Sequence, residues 1–195
     1  MGILLTTGVG AAVLLSQNPR LADEAASVPT SSPIAKPTPT PTSTPLKEDE
    51  GTRENPFPLG TPLTFTLSGR ENWDVTVNSA ILNANDAIAA ENPYNEVPPE
   101  GMQWALVSID ATYKGVDAGD PGNAIRISYV STDGRTYDEF DVSAVTPNGL
   151  YGQNEIYAGT STSGNIAVMI PNAEADKGVW ALSVDFGPKV FFRAQ

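Results

Sequence analysis

The segment Val28–Pro45, VPTSSPIAKPTPTPTSTP, constrains this chain more than any other. Pro37, Pro39 and Pro41 alternate with threonine. Each proline fixes its own φ and lacks a backbone donor, and its ring pushes the preceding residue into extended geometry. Such a tract cannot enter a helix or a central strand. It forms polyproline II, which rises about 3.1 Å per residue and acts as a semi-rigid spacer. Loose proline spacing at Pro29, Pro33 and Pro37 also resembles an SH3-type ligand, but a spacer fits the composition better. The 195-residue chain is therefore expected to have three parts: an apolar segment over residues 1–16, a disordered Pro/Ser/Thr-rich linker over 17–50 and one folded domain over 51–195.

The first part reads MGILLTTGVGAAVLLS and carries no charge. It is short of the roughly 20 residues a spanning helix needs. A cleaved signal peptide has a basic start and a small-x-small cleavage site. Here no Lys or Arg precedes Arg20, and cleavage after Ala22, Ala25 or Ala26 would put Arg20, Asp23 or Glu24 three residues upstream of the cut. The segment is expected to be a membrane anchor, or a signal segment whose beginning is missing. The domain would then be displayed outside the cytoplasm, or secreted if the segment is cleaved. A core helix of the domain is the competing reading, and it would require the stalk to double back.

The chain has no Cys and no His. Disulfide scaffolds, lipid attachment at a cysteine, thiolate or imidazole metal sites and Ser-His-Asp or Cys-His catalysis are all excluded. The domain holds 18 of the 23 Asp/Glu and 8 of the 11 Lys/Arg, a net charge of −10. Nucleic acid is a poor partner for such a surface, because its affinity comes mostly from Lys and Arg on phosphates. Solubility accounts for the acidity without a special partner.

Period-two alternation dominates the domain. Leu63, Phe65 and Leu67 alternate with polar residues, as do Trp73, Val75 and Val77. Met102–Tyr113 is apolar on both faces in its first half, which predicts a central strand. Ile125, Ile127 and Tyr129 precede an Asp133-Gly134 turn, and Arg135–Phe140 is expected to return as the next strand. Ile166 to Ile170, Trp180 to Phe186 and Val190 to Phe192 complete the set. Ile81–Ala90 reads as a loop with at most one helical turn. Seven or eight short strands predict an all-β, immunoglobulin-like antiparallel sandwich. Its predicted core includes Val75, Val77, Val107, Ile109, Ile127, Val168, Leu182 and Val184, with Trp73, Trp104 and Trp180 also inside.

Five stretches carry a family resemblance: Gly51–Gly60, Trp73-x-Val-x-Val77, Trp104–Tyr113, Ser131–Tyr137, and Tyr157–Gly164 before a strand ending at Pro171. In order and spacing they resemble bacterial extracytoplasmic domains of unknown function with a telokin-like immunoglobulin fold, related to the mycobacterial immunoprotective extracellular protein. The resemblance covers about residues 51–195. It implies a sandwich held at the cell envelope behind a lipoprotein signal or membrane helix, and it supplies no catalytic motif. The missing cysteine departs from the lipoprotein form.

What chemistry remains is weakly marked. Paired carboxylates hydrolyse glycosides when they flank a cleft, and this is the enzymatic alternative. Oxygen ligands suit Ca²⁺. Asp117, Asp120 and Asn123 in one loop, and Asp138, Glu139 and Asp141 in another, are the oxygen-rich sets, although these are also ordinary turn residues. Tyr94, Tyr151 and Tyr157 fall outside the strand pattern. Tyr94, Asn95, Glu96 and Tyr151 are the expected contact residues, since tyrosine offers large area at small entropic cost and Asn and Glu supply adaptable hydrogen bonds. The expectation is a non-enzymatic binding module of the bacterial envelope, without a cofactor. It would engage an envelope protein or glycan and touch the membrane through residues 1–16. A purely structural or calcium-stabilised surface domain is the further alternative.

Overall fold

The computed structural model describes residues 49–195. The expected anchor over 1–16 and the linker up to residue 48 lie outside the described residues. Asp49 and Glu50, assigned to the linker, form a turn with the domain: the Asp49 carbonyl accepts from Thr52 Oγ1 and Asn55 Nδ2. Among the described residues no helix is long and apolar enough to cross a membrane.

The domain is an antiparallel β-sandwich. One sheet has the order β1-β2-β3-β6, made of β1 (Pro62–Leu67), β2 (Arg70–Ile81), β3 (Met102–Tyr113) and β6 (Ser161–Pro171). The other has the order β5-β4-β7-β8, made of β4 (Ile125–Val130), β5 (Thr136–Asp138), β7 (Val179–Val184) and β8 (Val190–Arg193). All eight residues predicted for the core are buried, and so are all three tryptophans. The alternation names most of the inward faces, because burial on one side of a pleated strand demands period two, but Trp104 is buried on the opposite face of its strand and Leu67 and Phe186, at the ends of their sets, are exposed.

Two local devices set the phase. In β2, Trp73, Val75 and Val77 point inward, but the register shifts between Val77 and Ser79. The bulge leaves Ala80 packed on the core and turns Ile81 out to solvent. In the β4–β5 hairpin, Gly134 takes φ +86° and its N–H bonds to the Ser131 carbonyl at 2.9 Å. Only glycine adopts that conformation without strain, so the Asp133-Gly134 turn forms where expected.

β3 is apolar on both faces because each face meets a different core. Val107, Ile109 and Ala111 lie in the main inter-sheet core. Trp104 and Leu106 point the other way, into a small second core with Ala84, Ile88, Ala167 and Met169. The lid of that second core is α1 (Asn85–Glu91), a helix of 7 residues where a loop with at most one helical turn was expected. Asn and Asp at the start of the segment are indifferent helix formers. Contact with β3 decides the matter: Asn85 Oδ1 accepts from Trp104 N at 2.8 Å, and Ala84 N donates to Trp104 O at 2.7 Å.

The strand expected over Arg135–Phe140 is also shorter than the pattern suggests. β5 ends at Asp138. Asp138 Oδ1 accepts from Phe140 N at 3.2 Å, and Asp141 Oδ2 accepts from Asp138 N at 2.8 Å. These side chains replace the ladder with a turn. That turn delivers Glu139 and Phe140 to the site described next.

Candidate functional site

Three stretches, the first distant in sequence from the other two, converge beside the edge strands β5 and β6. They are the loop after α1, the segment that follows β5, and the turn at 149–151. Together they line a groove of about 590 Å³, within the range of small-ligand and peptide sites. Tyr94, Phe140, Val145 and Tyr151 form its exposed apolar rim, and Ile125, Leu150, Ile166 and Ala167 contribute to its floor. Tyr94 is 92% exposed, Tyr151 72% and Phe140 52%. Phe140 and Tyr151 meet edge to face with ring centroids 6.4 Å apart.

Backbone crossings hold the third stretch in place. Leu150 N donates to Asn165 O, and Asn165 N to Asn148 O, so the stretch lies along β6. A side chain at Gly164 would begin 2.9 Å from the Leu150 Cα, and one at Gly122 would begin 3.0 Å from the Leu150 carbonyl and the Tyr151 Cα. The absence of a Cβ at these two positions lets the chain pass close and aims Tyr151 at the groove.

The first stretch is pinned by Asn95. Its Nδ2 donates to Ile88 O at 2.8 Å and to Val145 O at 2.9 Å, while its Oδ1 accepts from Val145 N at 2.8 Å. Asn95 thus clamps the loop to residue 145 with both amide donors occupied, and it also lines the groove. Asn95→Ala should lower stability by ~1–2 kcal/mol, read as a shift in the urea midpoint. A midpoint unchanged from wild type would show the clamp to be idle. Glu96 follows Asn95 in the same loop. Its side chain is exposed and does not line the groove, and its carbonyl serves the fold by accepting from Trp104 Nε1 at 2.9 Å.

Glu139, expected near the end of a strand and as one of an oxygen-rich set, stands in the groove wall with its side chain 7% exposed. One oxygen accepts from Ile127 N at 3.2 Å, and the other lies 3.6 Å from Arg126. Burial raises its pKa from 4.5 to about 7, and the Ile127 N–H and Arg126 only partly offset that. The ion pair loses to desolvation for a visible reason. Arg126 Nη1 donates to Gly122 O at 2.7 Å, and the guanidinium lies 4.8 Å from the centre of the Phe140 ring and 5.9 Å from that of Phe186. Its charge is shared among several neighbours.

The other expected residues lie elsewhere. Tyr157 is exposed and outside the groove. Asp120 caps the short turn of helix α2 (Pro121–Ala124), accepting from the Asn123 backbone N–H at 3.1 Å and from the Asn123 side chain. Asp117 acts electrostatically on Tyr113, whose pKa is raised first by burial and then by Asp117 and Asp185. No group of three or more acidic side chains among the described residues is arranged to hold a metal ion. Asp120 and Asn123 are accounted for as a helix cap.

No protein-family model matches the chain, and no curated protein matches it. Two solved structures are similar to it. A conserved hypothetical protein from Bacillus anthracis has 13% identity and a TM-score of 0.42, over 70% of this chain and 95% of that one. A β-sandwich protein described as uncharacterized, from Clostridium difficile 630, has 14% identity and a TM-score of 0.43, over 80% of this chain and all of that one.

Proposed function

We propose that residues 51–195 are a non-enzymatic binding module. It would work outside the cytoplasm, tethered by residues 1–16 through the Pro/Thr-rich linker, and belong with the telokin-like envelope domains it resembles in sequence. Its contact surface is the groove. The observation that carries this reading is the convergence of Tyr94, Phe140 and Tyr151, each at least half exposed, around one concavity. Large apolar side chains exposed singly need no explanation, whereas several rimming one groove favour recognition. Among the described residues Glu139 is the sole carboxylate in the groove lining, and glycoside hydrolysis needs a second on the opposite wall. That is why binding is preferred to catalysis.

The test pairs Tyr94→Ala with Tyr151→Ala in one variant. Both side chains are mostly solvent-facing, so each change should alter stability by no more than about 0.5 kcal/mol. Capture of the partner recovered from envelope extract by the wild-type protein should fall at least about tenfold, as for contact aromatics at an interface. A clear loss of stability with unchanged capture would make the two tyrosines structural. Turnover in a broad glycoside and ester screen would overturn the non-enzymatic reading.

A further inference from the structure

Among the described residues Glu139 is the only charged one lining the groove, and it sits in a domain of net charge −10. We propose that the groove receives a lysine side chain of a polypeptide partner, its ammonium meeting the Glu139 carboxylate and its aliphatic stem lying among Tyr94, Phe140 and Tyr151. The inference rests on the groove being the contact surface proposed above.

Charge complementarity selects a cation. The carboxylate is almost wholly removed from solvent, where a charge pair attracts far more strongly than in water. It is also under-compensated. Its protein partners are one backbone N–H and a guanidinium at 3.6 Å whose nearer bond goes to Gly122 O at 2.7 Å. An anionic ligand would meet this carboxylate directly. A neutral one would leave its charge as poorly matched as before.

The surroundings favour a lysine in particular. Aromatic faces attract cations and pack against methylene stems, and the rim supplies three rings. Guanidinium recognition uses both carboxylate oxygens in a planar fork, whereas an ammonium is a point charge satisfied by one. One Glu139 oxygen already accepts from Ile127 N. A groove of about 590 Å³ exceeds one butylammonium side chain, leaving room for the flanking backbone of a polypeptide.

Burial raises the Glu139 pKa to about 7; Arg126 from β4 lowers it and Asp138 from β5 raises it. A bound ammonium favours the ionised carboxyl, so binding should release a proton and strengthen as pH rises through neutrality.

The experiment titrates the full chain with acetyl-Gly-Lys-Gly-amide, its norleucine and arginine analogues, and a neutral N-acetylglucosamine trisaccharide, at pH 5.5 and pH 8. The lysine peptide should bind on the order of tenfold more tightly than the norleucine peptide, more tightly than the arginine peptide, and on the order of tenfold more tightly at pH 8 than at pH 5.5. Glu139→Gln, which keeps an acceptor for Ile127 N, should remove both the lysine preference and the pH dependence. Equal binding of lysine and norleucine peptides would overturn the inference, as would wild-type affinity that does not change with pH, or preferential binding of the arginine peptide or the trisaccharide. Each of those results leaves the groove reading standing. The groove reading falls separately, if the Tyr94→Ala/Tyr151→Ala variant captures its partner unchanged. The pH series on wild type keeps the inference testable should Glu139→Gln fail to fold.

Discussion

Replacing Trp104 with alanine is expected to destabilise the domain by ~3–5 kcal/mol and to loosen one wall of the groove. Trp104 is the largest member of the second core, 1% exposed, between β3 and α1. Truncation removes an indole from a closed site, and the surrounding helix and sheet can only partly collapse into the space. It also strips a donor from the Glu96 carbonyl, next to Tyr94 and Asn95. Two readouts separate these effects. Urea denaturation should give the full loss, while amide exchange in the native state should rise over residues 85–97 before it rises in β4 or β7. Trp104→Phe keeps much of the volume and loses the Nε1 bond, so it should cost about 1–2 kcal/mol. A Trp104→Ala protein as stable as wild type, with exchange unchanged over 85–97, would mean that α1 does not depend on this core.

The second large effect concerns pH. Between pH 5 and pH 8 the domain should lose stability as the solution becomes more alkaline, opposite to the usual carboxylate behaviour. Glu139 has its folded pKa raised to about 7, above an ordinary value of 4.5. The folded state therefore holds a proton that the unfolded state has released. The contribution is fully present below about pH 4.5 and is lost as pH rises through about 7. A difference of that size amounts to ~3 kcal/mol, on the order of 10 °C in Tm for a domain of this length. Other resolved shifts act outside the window. Asp133 and Glu174 are held below their ordinary values by side-chain hydrogen bonds, from Ser131 and Lys177 respectively, and their contributions are lost only in acid. Lys114 and Lys177 are raised by the hydrogen bonds they donate to carboxylates, Asp74 and Glu71 in one case and Glu174 in the other, and titrate in strong alkali. Glu139→Gln should flatten the profile and leave the variant more stable than wild type at pH 8. A wild-type Tm that rises from pH 5 to pH 8, or a slope that survives the substitution, would show that burial does not govern this carboxyl.

Most of the sandwich was legible in the sequence because sheets write themselves as alternation. Much of the main core could be named from the strands, since one face of β2, β3, β4, β6 and β7 is buried continuously, but Phe57 and Leu150, which lie outside the strands, could not. The hairpin turn at Asp133-Gly134 was legible because positive φ demands a particular residue type. Helix α1 was not, because it has one buried anchor, Ile88, and so no period to read. Its partner signal was present but ambiguous: the two-sided apolar character of Met102–Leu106 announces cover on both faces without saying what supplies it.

The candidate site divides along the same line. Tyr94 and Tyr151 stood out because each breaks the strand pattern, and both line the groove. Asn95 and Glu96 were chosen by proximity to Tyr94, and the tertiary contacts turn one into a clamp and place the other's side chain outside. Glu139 and Phe140 looked like the end of a strand. Sequence alone determined the inward faces, the turns that need special backbone angles and the absence of thiol and imidazole chemistry, because these are properties of single residues and their local period. Only the tertiary structure decided that Glu139 is buried beside aromatics and that the loop after α1 shares one groove with the segment running from Glu139 to Tyr151, because burial and convergence belong to the packed chain and leave no periodic trace in any one segment.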